Sequence, residues 1–130
     1  DGRLAYCHNW LGLARYTVAA QEPLPAGPVT LCYVFAYDGG RPGAGGTGTL
    51  YVNGKQVAQG HLDKTVAYTF SLDESMDVGM DLATPVTEDY AMGDNAFTGR
   101  IRCVKIDIGE DDMSHLLEPE VVLHGLMANQ

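Results

Sequence analysis

The sequence predicts an all-β protein, an antiparallel β-sandwich with a short helix at its C-terminal end. Three observations lead there. Runs rich in Val, Tyr, Phe and Thr recur along the first 108 residues, separated by Gly, Pro and Asn punctuation. Asn53-Gly54 sits between two β-forming runs, where it supplies the two positive-φ positions of a type I′ hairpin turn. No strand–helix–strand alternation is present, which argues against a parallel sheet.

Taken in order, Leu4 to His8 reads as a strand, followed by a turn region over Asn9–Gly12 and a second strand over Arg15–Ala20. Gln21 to Pro28 carries Pro23, Pro25, Gly27 and Pro28 and reads as a loop. Val29 to Tyr37 is the strongest strand pattern. Both of its alternating faces are largely apolar, so a central strand buried on both sides is expected. Asp38 to Gly48 (DGGRPGAGGTG) is expected to be a flexible connection. It lacks the GK[ST] ending of a phosphate loop, and no helical pattern follows it.

The hairpin follows, with Thr49–Val52 and Lys55–Gly60 as its arms. Val66–Leu72 and Thr98–Ile108 are expected as further strands, giving about seven in all at sandwich-like spacing. The domain is therefore placed at residues 1–108, with an acidic break and tail over 109–130. In the tail, Leu116, Val122, Leu123, Leu126 and Met127 lie at near-helical spacing, and Pro119 suits a first helical turn. A short amphipathic helix over Pro119–Ala128 is expected there, weakened by Gly125.

Composition excludes several classes of partner. The chain has 130 residues and a formal charge of −9, with 8 basic against 17 acidic side chains. Nucleic acid and anionic membrane surfaces both call for a basic footprint, which this chain lacks. No apolar run approaches the roughly 18 residues of a membrane helix. DGRLAYCHNW has no signal-peptide pattern, so the chain is compatible with a mature or truncated product, cytoplasmic or periplasmic. Cys7, Cys32 and Cys103 are odd in number and have no CxxC spacing. Each lies in a strand-like run, so buried reduced thiols are expected, with Cys32–Cys103 as the one bridge to consider.

The motifs DGRLAYCHNWLGLARYTV, PLPAGPVTLCYVFAYDGG, GGTGTLYVNGKQVAQG, FSLDESMDVGMDLATPVTEDY and FTGRIRCVKIDI cover most of residues 1–108. In this order the set resembles the C-terminal domain of large bacterial arylsulfatases of the alkaline-phosphatase-like superfamily. The resemblance implies a concanavalin-like jelly roll, and it implies no sulfatase activity. The C/S-x-P-x-R context needed for formylglycine is missing: Cys7 is followed by HNWL, Cys32 by YVFA and Cys103 by VKID. In that family the jelly roll begins upstream of the segment that matches Asp1. This chain therefore corresponds to a partial sandwich, whose open edges a second copy or the tail helix could cover; a homo-oligomer, most simply a two-fold dimer, is expected.

Ligand chemistry is expected, if anywhere, in the acidic loop. Asp77, Asp81 and Asp89 are hard oxygen donors of the kind calcium takes, about six to eight at a time. Their D-x₃-D-x₇-D spacing is not that of an EF-hand, and a solvated loop with its carboxylates on backbone N–H groups is the competing reading. For a carbohydrate, Trp10, Tyr90 and Asn95 are the best platform and polar groups. The four histidines, His8, His61, His115 and His124, are scattered, and no nucleophile–base arrangement can be assembled from spacing. The leading expectation is a non-catalytic accessory or assembly module, alone or beside a sulfatase-like catalytic chain. A carbohydrate- or calcium-binding lectin-like domain is the alternative. A small enzyme with an intersubunit site is the third.

Overall fold

A computed structural model describes residues 2–67 and 76–108 of the chain. The chain divides into two units, Asp1–Phe70 and Ser71–Gln130. Every strand among the described residues lies in the first unit, and no helix occurs among them.

The first unit contains β1 (Arg3–Trp10), β2 (Ala14–Pro23), β3 (Leu31–Tyr37), β4 (Ala44–Val52) and β5 (Lys55–Lys64). β1 and β2 form one antiparallel sheet, and β3, β4 and β5 form a second in the order β3-β4-β5. The all-β expectation therefore holds for the described residues, as two antiparallel sheets. The turn between β1 and β2 is set by Leu11 (φ 53°) and Gly12 (φ 71°), and the Asn9 side chain accepts the Gly12 N–H at 2.8 Å. The β4–β5 turn has Asn53 at φ 50° and Gly54 at φ 79°, the mirror-image conformation expected of Asn-Gly. Asn53 also pins the start of β3: its N–H donates to Thr30 O at 2.8 Å, and its Oδ1 accepts the Thr30 N–H at 2.9 Å.

The two sheets meet through a small core of Val18, Leu50 and Leu62, with Leu4, Tyr6, Tyr16, Tyr33, Phe35, Val57 and Ala58 packed around it. Leu50 and Leu62 keep only 2 % and 1 % of their surface. Tyr6 of β1 stacks on Tyr33 of β3 with ring centroids 3.9 Å apart and planes 14° from parallel. Burial, reinforced by the Tyr6 hydroxyl, holds the Tyr33 phenol far above its usual range, so it stays neutral.

The structure corrects four expectations. The glycine-rich run is not a flexible connection: Ala44–Gly48 opens β4, the central strand of the three-stranded sheet. Glycine weakens an isolated strand, but here it clears space for rings from the neighbouring strand. A Cβ on Gly48 would lie 2.9 Å from the Tyr33 ring, and one on Gly46 would collide with Phe35. Second, among the described residues β3 is an edge strand and not a central one, and Cys32 and Val34 face outward and are exposed. Third, Cys7 is half-buried while Cys32 and Cys103 are exposed, and all three thiols are free. Cys32 escapes burial because it lies on the outer face of that edge strand.

Fourth, Thr98–Ile108 forms no strand. A strand exists only as one side of a hydrogen-bonded ladder, and among the described residues nothing pairs with this segment. Ile101, Val104 and Ile106 are exposed, and Ile108 keeps 90 % of its surface. Smaller differences lie at strand ends: β2 runs on to Pro23, β5 runs on to Lys64, and β3 begins at Leu31 rather than Val29. Val66 and Ala67 lie beyond β5 without strand structure. The rest of the expected Val66–Leu72 strand and the expected Pro119–Ala128 helix lie outside the described residues.

The Gly48 position yields a first test. Gly48→Val should lower the stability of the chain by roughly 1–3 kcal/mol, the usual cost of forcing atoms into a filled site. The comparison is the urea midpoint of this variant against the unmodified chain. An unchanged midpoint would mean that the Tyr33 ring does not depend on a bare backbone beneath it.

Candidate functional site

Two places gather polar side chains, one in each unit. The first is the end of the first unit where β3 and β5 finish and β4 starts. Asp38 follows β3 directly, and His61 and Asp63 lie two residues apart on β5, on one face of the strand. His61 Nε2 meets Asp38 Oδ2 at 2.9 Å, and its Nδ1 meets Asp63 Oδ1 at 3.4 Å. The hydrogen bond to Asp38, and then that to Asp63, raises the His61 pKa above its usual 6.5. His8, in contrast, is buried on β1, and desolvation lowers its pKa from the same reference value of 6.5.

Trp10, the expected sugar platform, is at the same end. Its indole N–H donates to Thr65 O at 3.2 Å, and Lys64 Nζ sits 4.6 Å from the ring centroid. The half-buried ring is therefore tied to β5 and engaged by a cation over one face. Thr65 completes the closure: its hydroxyl donates to Ala44 O at 2.7 Å and its N–H to Gly43 O at 3.2 Å.

The second place is the acidic loop of the second unit. It surrounds an open depression of about 850 Å³, lined among others by Met80, Asp81, Leu82, Tyr90, Asn95 and Phe97. Asp81 is its organising residue. Its carboxylate accepts the Tyr90 hydroxyl at 2.5 Å and the Ala83 N–H at 3.2 Å. Its backbone is clasped by Asn95, whose Oδ1 accepts the Asp81 N–H at 2.7 Å and whose Nδ2 donates to Asp81 O at 3.0 Å. Tyr90 Oη in turn accepts the Val86 N–H at 2.9 Å. Below this, the Phe97 N–H closes the loop onto Gly79 O at 2.7 Å.

The expected site residues are thus distributed as follows. Tyr90 and Asn95 converge on Asp81 in the second unit, whereas Trp10 belongs to the first. Asp77, Asp81 and Asp89 are not brought together as a ligand set. Among the described residues, no group of three or more His, Cys, Asp or Glu side chains is placed to hold a metal ion. Asp77 Oδ2 instead accepts the Leu82 N–H at 2.9 Å, and the Asp89 N–H donates to Thr87 Oγ1 at 3.1 Å. These are turn bonds, in which short polar side chains replace absent backbone partners.

Sequence reasoning missed the Asp38–His61–Asp63 contact. The signal is the i, i+2 alternation of His61 and Asp63, which lies past the Gly60 end that the sequence pattern gives this strand. This arrangement does not resemble a catalytic base. A base that activates a nucleophile needs one ring nitrogen on the nucleophile, and here both nitrogens lie on carboxylates. No family model, no curated protein and no solved structure matches the chain.

Two outcomes follow from this geometry. Proton NMR should show His61 titrating above 6.5, and Asp38→Asn should bring it down. Because the folded pKa is the raised one, the contact stabilises fully below pH 6.5, and its contribution is lost as pH climbs through the folded value. A His61 that titrates at its ordinary value in the unmodified chain would refute the contact. In the second unit, Tyr90→Phe removes a hydrogen bond to a charged group, locally about 1.5–3 kcal/mol. Amide exchange at Val86 and Ala83 should accelerate, and unchanged exchange at both would show that Asp81 holds the loop without Tyr90.

Proposed function

We propose that this chain is a non-catalytic β-sandwich module that works through assembly, of the concanavalin-like jelly-roll kind found at the C-terminal end of bacterial arylsulfatases. Its simplest working form is a homodimer. The fold-level support is the two antiparallel sheets together with the ordered set of motifs that resembles that domain. Fold likeness alone supplies no chemistry, so the activity of a whole sulfatase is not carried over to this chain.

One observation carries the functional part. At both candidate sites the polar groups are spent on one another, while the apolar surface is not. His61 uses both ring nitrogens on carboxylates, and Asn95 and Tyr90 are committed to Asp81. A binding pocket for a small polar ligand works with convergent groups that the ligand satisfies. Against this, Leu31, Val34 and Tyr37 in the first unit, and Met76, Leu82, Met92 and Phe97 in the second, are large apolar side chains left exposed. Apolar side chains left to water in this way are available for burial against another protein surface.

Light scattering on the purified chain is the direct test. A solution mass of twice the 14.0 kDa chain, held on dilution through the micromolar range, is the expected result. A mass of one chain at every concentration would overturn the assembly reading and return attention to the depression around Asp81.

A further inference from the structure

We infer that the outer edge of β3 is the dimer contact, and that it joins β3 of a second copy antiparallel about a two-fold axis through Val34. This inference rests on the assembly reading and names its surface.

The backbone decides which groups are available. β3 pairs with β4 in unbroken register, Leu31 opposite Val52 through Tyr37 opposite Gly46. The bonds that flank the ladder fix its phase. The Asn53 N–H donates to Thr30 O, and the Asp38 N–H donates to Gly45 O, so positions 30 and 38 face β4. In an antiparallel ladder, alternate residues turn their N–H and C=O to one neighbour. Cys32, Val34 and Ala36 therefore spend their backbone groups on β4. Leu31, Tyr33, Phe35 and Tyr37 turn theirs to the outer edge, where no strand lies among the described residues.

The side chains identify the occupant as a second copy. β3 reads LCYVFAY, with no charge, proline or glycine, so it lacks the usual devices that keep an edge from pairing. Its exposed large side chains are Leu31 (44 %), Val34 (47 %) and Tyr37 (43 %), a set symmetric about Val34. A two-fold axis there sets Leu31 opposite Tyr37 of the other copy, Val34 opposite Val34, and the small Cys32 opposite the small Ala36. Tyr33 and Phe35 exchange backbone bonds across the axis, and so do Leu31 and Tyr37, so all four outward-facing residues are used. The nearest charge, Asp38, falls beside Thr30 of the other copy and not beside a second carboxylate. A two-fold contact of this kind closes on itself and stops at two chains.

The test uses position 34, where the two copies face each other in a non-hydrogen-bonded pair with Cα atoms about 4.5 Å apart. Val34→Lys sets two ammonium groups against each other, and Val34→Asp sets two carboxylates. Each variant alone should run at half the mass of the unmodified dimer in light scattering, with an unchanged circular dichroism spectrum. Mixed in equal amounts, the two should recover the dimer mass. As a second measurement independent of charge, Val34→Cys in a chain with Cys32 and Cys103 changed to alanine should form a reducible covalent dimer on mild oxidation.

An unmodified dimer that survives Val34→Lys, or a Val34→Cys chain that stays monomeric under oxidation, would overturn β3 pairing and leave the assembly reading standing. A monomeric unmodified chain would overturn both.

Discussion

The first unit depends on aromatic rings lying over bare backbone. Tyr33 crosses Gly48 and Phe35 crosses Gly46, and Tyr6 of the other sheet stacks on Tyr33. Remove the glycines and the rings must stand up from the sheet; the second sheet then has nothing flat to rest on. On β5, Gly60 plays the same part for Val18, whose Cγ2 would lie 2.9 Å from an added Cβ. Gly60 is the ladder partner of Gly48, so the three-stranded sheet is bare at one register position on two neighbouring strands, and Val18 of the two-stranded sheet packs against Gly60. A core with so few fully buried side chains draws its cohesion from these flat contacts, since stacked rings add about 0.5–1.5 kcal/mol beyond the area they bury.

The electrostatics follow from where the strands stop. His61 and Asp63 project from the exposed end of β5 toward Asp38 at the end of β3, so the pair bridges two strands separated by β4. His8 stands on β1 with little exposure, and burial favours its neutral form. The two histidines therefore push the pH dependence of stability in opposite directions. Protonation strengthens the His61 contact and opposes the folded environment of His8. The acidic loop uses its charge differently, with Asp81 as an acceptor around which Tyr90, Ala83 and Asn95 are arranged.

The hairpin was legible in the sequence because Asn53-Gly54 carries a conformational demand that few other dipeptides meet. The strands β1, β2 and β3 were legible from alternation. The first half of the central strand, Ala44–Gly48, was not. Glycine reads as a breaker wherever its neighbours in space are unknown, and the partners that make Gly46 and Gly48 useful lie on β3. For the same reason the two apolar faces of Val29–Tyr37 suggest a buried centre, when among the described residues β3 lies at an edge. Thr98–Ile108 shows the reverse failure, since β-forming residues do not make a strand without a ladder. At the sites, Tyr90 and Asn95 lie on Asp81, a residue that sequence spacing groups with Asp77 and Asp89 as an oxygen donor, and Trp10 stands apart from them in the first unit. Side-chain pairing across the fold, which decides all of these, leaves little trace in one sequence.

The clasp between Asn53 and Thr30 has a consequence for how the chain reaches its native state. It joins the entry of β3 to the turn of the β4–β5 hairpin, so the three strands form an uninterrupted meander over residues 31–64. Contacts so close in sequence cost little loop-closure entropy, and hairpins of this type form in about 1–10 μs. Three strands with an apolar face are also the smallest sheet that persists by itself in water. The β1–β2 hairpin is as local, so the contacts that carry the larger loop-closure cost are those between the sheets, such as Tyr6 on Tyr33.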